Sequence, residues 1–223
     1  MSNIDAYNKE MAQVEATFNE YLEILSRVDR PGIENLIEFL KSSDFSTAPA
    51  STHYHSNFKG GLCKHSLNVY NNLKKLNDLY DAHLDEESMI VVALLHDLAK
   101  IDYYEYTVKN YKNYCENGRQ RDENGAFNWA SAGSYRVKES ALREHVYSEH
   151  GVCSFLIANK YIKLEEEEII AIINHHMDLD KSGYVRTDIS EIYDRYVLAS
   201  LLHVADTLAT YIDENKYRVE WIA

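Results

Sequence analysis

The ten residues VVALLHDLAK (91–100) decide the fold predicted for this chain. They continue a helical pattern that starts at 85, with acidic residues in its first turn and Lys100 at its end, as the helix dipole favours. His96 and Asp97 stand side by side at the end of this otherwise apolar run. Because a carboxylate is rarely fully buried without a partner, a buried Asp beside a buried His requires a hydrogen-bonding partner or a metal ion.

Apolar residues at helical spacing continue on both sides of this stretch. The other predicted helices span 4–25, 34–40, 63–80, 139–162, 164–179 and, as one long helix, 191–214. Between 103 and 138 two alternating stretches rich in aromatic residues flank a turn-like segment, which predicts a β-hairpin or ordered insertion. We therefore predict an all-α helical bundle with a small β-hairpin insertion at about 103–138.

Length and composition are those of one structural unit. The 223 residues, 45% of them hydrophobic, suffice for one sizeable core. We expect residues 1–50 to form N-terminal helices packed on a domain that spans 51–215. No apolar run approaches the roughly 18 residues that cross a bilayer, and the N-terminus lacks the order of a signal peptide. Three scattered cysteines form no disulfide framework, so we expect a cytoplasmic protein.

The formal net charge of −13 restricts the partners. A protein that neutralises phosphates along a duplex carries a basic face, so we expect no binding of long duplex nucleic acid. We also expect no membrane partner, whereas self-association into a homo-oligomer is compatible with the sequence. A small phosphorylated substrate held through a metal ion is compatible as well, because a bound cation reverses the local field.

Two further residues extend the His96-Asp97 pair. His65 follows Gly60-Gly61 at the start of a predicted helix, and Asp206 lies within the apolar run LLHVAD. The glycines let the backbone turn tightly into the helix. Imidazole nitrogens and carboxylate oxygens suit Mn, Fe, Co, Ni or Zn without a thiolate, and Mg is a further candidate. Alone, the His-Asp pair has a capping or salt-bridge interpretation; the four residues together favour a metal site.

The order His65, His96-Asp97, Asp206 resembles the H…HD…D signature of the HD-domain metal-dependent phosphohydrolases. HDLAK (96–100) resembles the HD-x-(G/A)-K form of that family. APASTHYHSNFKGGLCKHSLNV (48–69) resembles the segment that leads into the HD domain of bacterial 3′–5′ exoribonucleases. The resemblance covers about residues 33–212 and implies a centre of one or two divalent metal ions.

The resemblance also implies where a second ion would bind. In two-metal members, a His at the place of His150 and one His of an HH pair bind it, with the Asp of the HD pair as a bridge. The sequence leaves open which of His175 and His176 is the ligand, and analogy with HH-bearing relatives favours His175.

Lys100 and three weaker candidates complete the predicted site. Lys100 follows His96 at i+4, and the resemblance implies that it acts in catalysis by neutralising phosphate charge. Its alternative role is to answer the helix dipole. His55, Lys59 and Arg186 are the candidates for contact with a substrate phosphate.

Together these features imply a nucleotidase or phosphodiesterase that cleaves a phosphoester of a nucleotide or short oligonucleotide with metal-activated water. Two alternatives remain open: a di-iron oxidative enzyme on the same ligand set, and a non-catalytic nucleotide-binding module. The chain departs from the exoribonucleases because its first fifty residues have a helical pattern where those enzymes carry an OB-fold. The insertion either covers the mouth of the site and selects a base or is a solvated hairpin.

Overall fold

The computed structural model describes residues 3–52, 56–144, 149–176 and 189–214. Its helices are α1 (Asn3–Leu25), α2 (Ile33–Ser42), α3 (Gly61–Tyr80), α4 (Glu86–Leu95), α5 (Glu139–Glu144), α6 (His150–Ala158), α7 (Glu166–Ile173), α8 (Ile189–Arg195) and α9 (Val197–Leu208). Its strands are β1 (Tyr104–Tyr114), β2 (Gln120–Asp122) and β3 (Gly125–Val137).

Helix α4 is the centre of the bundle. Every residue from Met89 to Leu95 is buried, so this part of the helix has no solvent face. It packs against α1, α3, α6, α7 and α9. One hydrophobic cluster runs from Tyr21 of α1 to Ala209 beyond α9, and the Tyr21 hydroxyl donates a hydrogen bond to the Leu94 carbonyl at 2.8 Å. The all-apolar helix therefore delivers the residues that follow it, His96 and Asp97, to the middle of the molecule.

Several predicted helices end or break differently in the structure. The helix predicted over 139–162 is interrupted at Glu149, whose backbone is extended (φ −111°, ψ 115°), and the helix predicted over 164–179 ends at Ile173. Helix α4 stops at Leu95, and a single 3-10 turn (Leu98–Lys100) follows, because Asp97 leaves the helical conformation (φ −112°, ψ 19°). The predicted helix over 191–214 is wrong as one element. It is broken at Tyr196, whose backbone is extended (φ −120°, ψ 93°) and whose hydroxyl donates to Glu166 at 3.1 Å.

The predicted insertion is a β-hairpin with one added strand. Strands β1 and β3 pair antiparallel, with Tyr104 opposite Val137 at one end and Tyr114 opposite Phe127 at the other. Short strand β2 adds to the other edge of β3. The fold is thus helix-rich with a small three-stranded sheet, so the all-α class is right for the bundle and incomplete for the insertion.

Two further findings concern the membrane and the thiols. None of the helices within the described ranges has both the length and the apolar character needed to cross a membrane. Cys63, Cys115 and Cys153 are all free thiols, and only Cys115, at the tip of the hairpin, is exposed.

Candidate metal centre

His65 enters the site through a turn that requires glycine. Gly60 has a left-handed backbone (φ 82°), and a Cβ on Gly61 would overlap the carbonyl oxygen of Ser56. Helix α3 therefore starts directly under the loop at 56 and buries His65, its fifth residue. The Nδ1 atom of His65 lies 3.0 Å from a carboxylate oxygen of Glu214, which leaves Nε2 facing the interior.

His96 and His175 are oriented by the same local device. Each follows the end of a helix and places its Nδ1 against the backbone carbonyl three residues earlier, Ala93 at 2.9 Å and Ile172 at 2.6 Å. A carbonyl oxygen only accepts, so Nδ1 carries the hydrogen in both rings. The Nε2 lone pairs are therefore directed into the centre of the bundle.

The Nε2 atoms converge in two pairs. His65 Nε2 lies 3.4 Å from His96 Nε2, and His150 Nε2 lies 3.0 Å from His175 Nε2. Two nitrogens that bind one ion at about 2.0–2.1 Å lie about 2.8–3.4 Å apart at octahedral or tetrahedral angles. The observed separations fit ligands that share a cation.

Asp97 lies between the two histidine pairs. Its Oδ2 is 3.4 Å from His96 Nε2 and 3.6 Å from His65 Nε2. Its Oδ1 is 3.5 Å from His150 Nε2 and 3.9 Å from His175 Nε2. One carboxylate thus offers an oxygen to each pair, as a bridging ligand would.

The Oδ1 atom of Asp97 is also buried without a hydrogen-bond partner among the described residues. Asp97 is only 2% exposed, and within the described residues its Oδ1 has no hydrogen-bond donor. A buried polar atom without a partner costs about 1–3 kcal/mol. Burial raises the pKa of Asp97, but Lys100 and His96 outweigh it and hold the pKa well below its usual range. An ionised, unpaired oxygen among imidazoles fits a cation site.

Two sets of ligand atoms result, which we call cluster 1 and cluster 2. Cluster 1 holds His65, His96 and Asp97, and cluster 2 holds His150, His175 and His176; within each, the ligand atoms lie within 4.8 Å of one another. Asp206 adds a second carboxylate between them, with Oδ1 3.1 Å from His65 Nε2 and Oδ2 3.7 Å from His176 Nδ1.

The charges in the two clusters differ. Burial lowers the pKa of His65, but hydrogen bonds to Asp206 and Glu214 outweigh it and raise the pKa to about 10. This corner therefore favours a positive charge, either a proton on Nε2 or a cation in its place. Burial lowers the pKa of His150 to about 4 and holds the pKa of His175 well below its usual range. Both rings are neutral at pH 7 and keep a lone pair for a metal.

Lys100 lies at the edge of cluster 1. Its ammonium donates to Asp97 Oδ2 at 2.6 Å from the 3-10 turn, three residues along the chain. Burial lowers the pKa of Lys100, but the Asp97 charge outweighs it, so the pKa is raised. Lys100 is thus a buried partner of the central carboxylate as well as a basic residue after a helix.

Of the three predicted substrate contacts, the structure describes only Lys59. The ammonium of Lys59 points to α1, 3.9 Å from the Met11 sulfur and 5.2 Å from the centre of the Tyr7 ring, so the structure does not bring it into either cluster. The predicted substrate contacts His55 and Arg186 lie outside the described residues. Of the HH pair, His175 is buried, whereas the His176 side chain is 41% exposed.

Sequence reasoning missed Glu214. Its carboxylate accepts from Asn68 at 3.0 Å and from the Ser56 hydroxyl at 2.6 Å while it holds His65 Nδ1. Its position depends on a π turn (Ala209–Asp213) closed by a hydrogen bond from Glu214 N to Ala209 O at 3.0 Å. A glutamate at the end of the last helical pattern was the only signal available in the sequence.

Comparisons with known proteins identify one family. The family model of the HD domain matches residues 62–211, about two thirds of the chain. The match contains every residue of clusters 1 and 2 and Asp206. HD domains typically are metal-dependent hydrolases that bind divalent metals. Searches of curated proteins and of solved structures found no match.

Proposed function

Because the chain belongs to the HD-domain family, we propose that it hydrolyses a phosphoester of a nucleotide or short oligonucleotide, as a nucleotidase or phosphodiesterase. The observation that supports this most directly is the position of Asp97. Its two oxygens face different histidine pairs, and one of them has no donor among the described residues. Such a carboxylate suits two cations that share a substrate phosphate.

We assign the metal ligands from the two clusters. His65, His96, Asp97 and Asp206 would hold one divalent ion, and His150 and His175 would hold a second together with Asp97. His176 is close enough to join the second ion or to contact the substrate. Nitrogen and oxygen donors without thiolate suit Mn, Fe, Co, Ni or Zn, and Mg is a further candidate. When bound, such ions lower the pKa of a water molecule and stabilise charge on phosphate oxygens.

The chain's own residues do the rest of the work. In the reaction, a water oxygen forms a bond to phosphorus, the bond from phosphorus to the leaving oxygen breaks, and the proton lost by the water ends on that oxygen. Lys100 has three N–H donors, of which Asp97 uses one, so the others remain for a non-bridging phosphate oxygen. Glu214 fixes the ring of His65, and the Ala93 and Ile172 carbonyls fix the rings of His96 and His175.

We extend the proposal to location and partners. Free thiols at all three cysteines favour a reducing compartment such as the cytoplasm. The net charge of −13 disfavours long duplex nucleic acid. We propose no membrane partner and leave a homo-oligomer open to measurement. The lead-in segment at 48–69 supports kinship with the HD domains of 3′–5′ exoribonucleases.

A metal-supplemented substrate screen tests the proposal. Purified protein with Mn, Fe, Co, Ni, Zn or Mg is given nucleoside mono-, di- and triphosphates, cyclic dinucleotides, and short RNA and DNA, and the products are separated by chromatography. We expect hydrolysis of at least one phosphoester, abolished in Asp97→Asn. Turnover that persists in Asp97→Asn contradicts the site, and oxygen consumption in step with product formation contradicts hydrolysis.

A further inference from the structure

The hairpin has one aromatic face and one polar face. Residues directly opposite each other in an antiparallel pair point to the same side, and successive residues alternate. The register of β1 and β3 therefore places six rings on one side, which we call the aromatic face: Tyr104, Tyr106, Tyr114, Phe127, Trp129 and Tyr135. Lys109, Tyr111 and their cross-strand partners Ala132 and Ala130 lie on the other side.

Much of the aromatic face is open to solvent. Tyr106 is 61% exposed, Val108 63% and Trp129 57%, whereas Phe127 is buried. The rings contact one another along the strands: Tyr106 and Tyr135 have centroids 5.2 Å apart, and Phe127 and Trp129 5.8 Å. Antiparallel sheets ordinarily pack one face on a core. Within the described residues nothing covers the outer part of this face, so it is available to a ligand.

A pocket of about 460 Å³ at the hairpin tip contains groups suited to a nucleotide. It is lined by Arg119, Gln120, Asn128 and Trp129. The indole N–H of Trp129 donates to the Gln120 side-chain oxygen at 3.1 Å, which leaves the Gln120 amide N–H groups for a ligand. Arg119 makes no ion pair with any described residue. A base can stack on the indole, bond to the amide and place its phosphate near the guanidinium.

The combination of exposed rings with cations favours a single-stranded nucleic acid as the occupant. Residues 103–138 contain six Lys and Arg against four Asp and Glu, although the whole chain has a net charge of −13. This local excess of positive charge suits an anionic ligand, and charge alone would also suit the acidic surface of another copy. A single strand supplies bases for the exposed rings as well as phosphates for the cations. Aromatic rings combined with cations are the usual surface for single strands.

The aromatic face begins at the metal centre. Tyr104, its first ring, directly follows the turn that carries Lys100. The Tyr103 N–H donates to the Lys100 carbonyl oxygen at 3.3 Å, and the Lys100 ammonium donates to Asp97 Oδ2 at 2.6 Å. From Tyr104 to Lys112, which pairs with Trp129, the strand extends about 27 Å at about 3.4 Å per residue. A strand of several nucleotides is long enough to reach from the tip pocket to the metal ions, within the 4–16 nucleotides typical of single-strand sites.

We propose that the aromatic face binds single-stranded nucleic acid, with a base in the tip pocket and the strand running along the hairpin to the metal centre. The cleavage part of this proposal rests on the proposed function, whereas the binding part does not. It makes a short single-stranded oligonucleotide, rather than a free mononucleotide, the preferred substrate.

Binding is tested without catalysis. The chain has two tryptophans, so Trp221→Phe leaves Trp129 as the only indole fluorophore. In metal-free protein we titrate hexanucleotides of RNA, oligo(A)₆, and of DNA, oligo(dA)₆, and follow Trp129 emission. Saturable quenching that weakens with salt supports binding of a single strand along the aromatic face. The oligomer that binds more tightly shows whether the face prefers ribose or deoxyribose. Absence of any change with both oligomers overturns the proposal.

Steady-state kinetics test the same binding surface through its effect on KM. On the hexanucleotide, Trp129→Ala is expected to raise KM at least about fivefold, the low end for one base stacked on an aromatic ring. Tyr111→Ala is the matched control, because Tyr111 is an exposed ring of β1 on the polar face. Thermal melting checks the fold of each variant, and Trp129→Phe and Arg119→Gln serve if Trp129→Ala does not fold. Equal KM values for wild type and all Trp129 and Arg119 variants overturn the proposal.

Two further measurements separate the alternatives. Bis(p-nitrophenyl) phosphate is too short to reach the tip, so its hydrolysis with Mn reports on the metal centre alone. If this small substrate is not hydrolysed but the hexanucleotide binds, the proposed function fails, whereas binding along the aromatic face stands. If the small substrate is hydrolysed but neither oligomer binds, only binding along the aromatic face fails. A change in Trp129 emission on dilution of the protein, with no response to oligomers, identifies a second copy as the occupant and overturns the proposal.

Discussion

Two groups of buried charged residues, one around Arg30 and one at the metal centre, lie at opposite ends of helices α4 and α7. At the start of both helices Arg30 donates two hydrogen bonds to Glu168, at 2.6 and 2.7 Å, and also contacts Glu87. At the end of both helices are His96, with Asp97 beside it, and His175. In the first group, which we call the Arg30 cluster, both oxygens of Glu168 have donors, whereas in the metal centre Asp97 Oδ1 has none among the described residues.

The two groups differ in the number of hydrogen-bond donors that the buried carboxylate receives. Both carboxylate oxygens of the fully buried Glu168 are paired twice, because Ser88 donates to one at 2.7 Å and the Glu165 backbone N–H donates to the other at 2.9 Å. Asp97 is equally buried, yet its Oδ1 has no donor among the described residues. Where burial of charge only braces the fold, the chain supplies every partner. Where a buried carboxylate oxygen has no donor among the described residues and faces several imidazoles, the site fits an external cation.

The sharpest way to break this comparison is to remove Asp97. Because its two oxygens face both clusters, we expect Asp97→Ala to lose essentially all bound metal and all activity. His150→Ala is the matched variant, since His150 belongs to cluster 2 alone, and it should lower bound metal from about two ions to about one. Elemental analysis of protein saturated with Mn and then desalted measures both. Full metal content in Asp97→Ala would refute the bridging role.

The opposite test removes the Arg30 side chain, which stabilises the fold by pairing with Glu168. Arg30→Met leaves Glu168 charged and buried without its partner, which typically costs about 3–5 kcal/mol. For a chain of this size, that lowers the melting temperature by about 6–20 °C. Urea unfolding of metal-free protein measures the loss, and Arg30→Met combined with Glu168→Gln should recover part of it. A loss below about 1 kcal/mol in the single variant would mean that the Arg30 cluster is not a brace.

Lys100 sharpens the comparison, because it is a buried cation that belongs to the reactive end. A charge that acts mainly in the transition state lowers kcat more than it changes KM. We expect Lys100→Met to keep its metal and to lose about 100-fold in kcat on the best substrate. Lys41→Met is the control, since Lys41 pairs with Glu38 on the exposed face of α2. Wild-type turnover in Lys100→Met, with only a lowered melting temperature, would make Lys100 a structural residue like Arg30.

The smallest expected effect concerns Glu214, which supports a ligand from behind. Residues that orient metal-binding histidines typically contribute 10–100-fold to metal affinity, and we expect Glu214→Gln to lose about that much. Asp213→Asn is the control, because Asp213 is the preceding acid of the same turn and accepts a hydrogen bond from Asn72 at 2.7 Å. Competition with a chelator measures the affinity. Equal affinities in both variants would show that His65 needs no orienting carboxylate.

The sequence predicted those parts of the fold and the site that depend on local pattern. The apolar run of α4, the helix that carries His65 and the hairpin all follow from spacing and composition, and the structure brings His65, His96, Asp97 and Asp206 together. Their role as ligands stays a prediction. Features set by distant contacts were not predictable: α4 ends at Leu95 because Asp97 turns toward other helices, and the break at Tyr196 is accompanied by a contact to Glu166. The paired histidine tautomers depend on backbone carbonyls that only the folded ends of α4 and α7 present.

The π turn after α9 decides which acidic residue faces His65. Because the bond from Glu214 N to Ala209 O spans five residues instead of four, the turn accommodates one residue more than an α-helix. Rewinding of these residues as a regular α-helix would put Asp213 four residues after Ala209 and rotate Glu214 by about 100° around the helix axis, away from His65. Deletion of one residue between 209 and 213 would instead turn the π turn into an α turn that ends on the same Ala209 carbonyl, so the glutamate would keep its side of the helix. In natural variants of this protein, a one-residue gap here is therefore compatible with an intact site as long as the glutamate itself is kept.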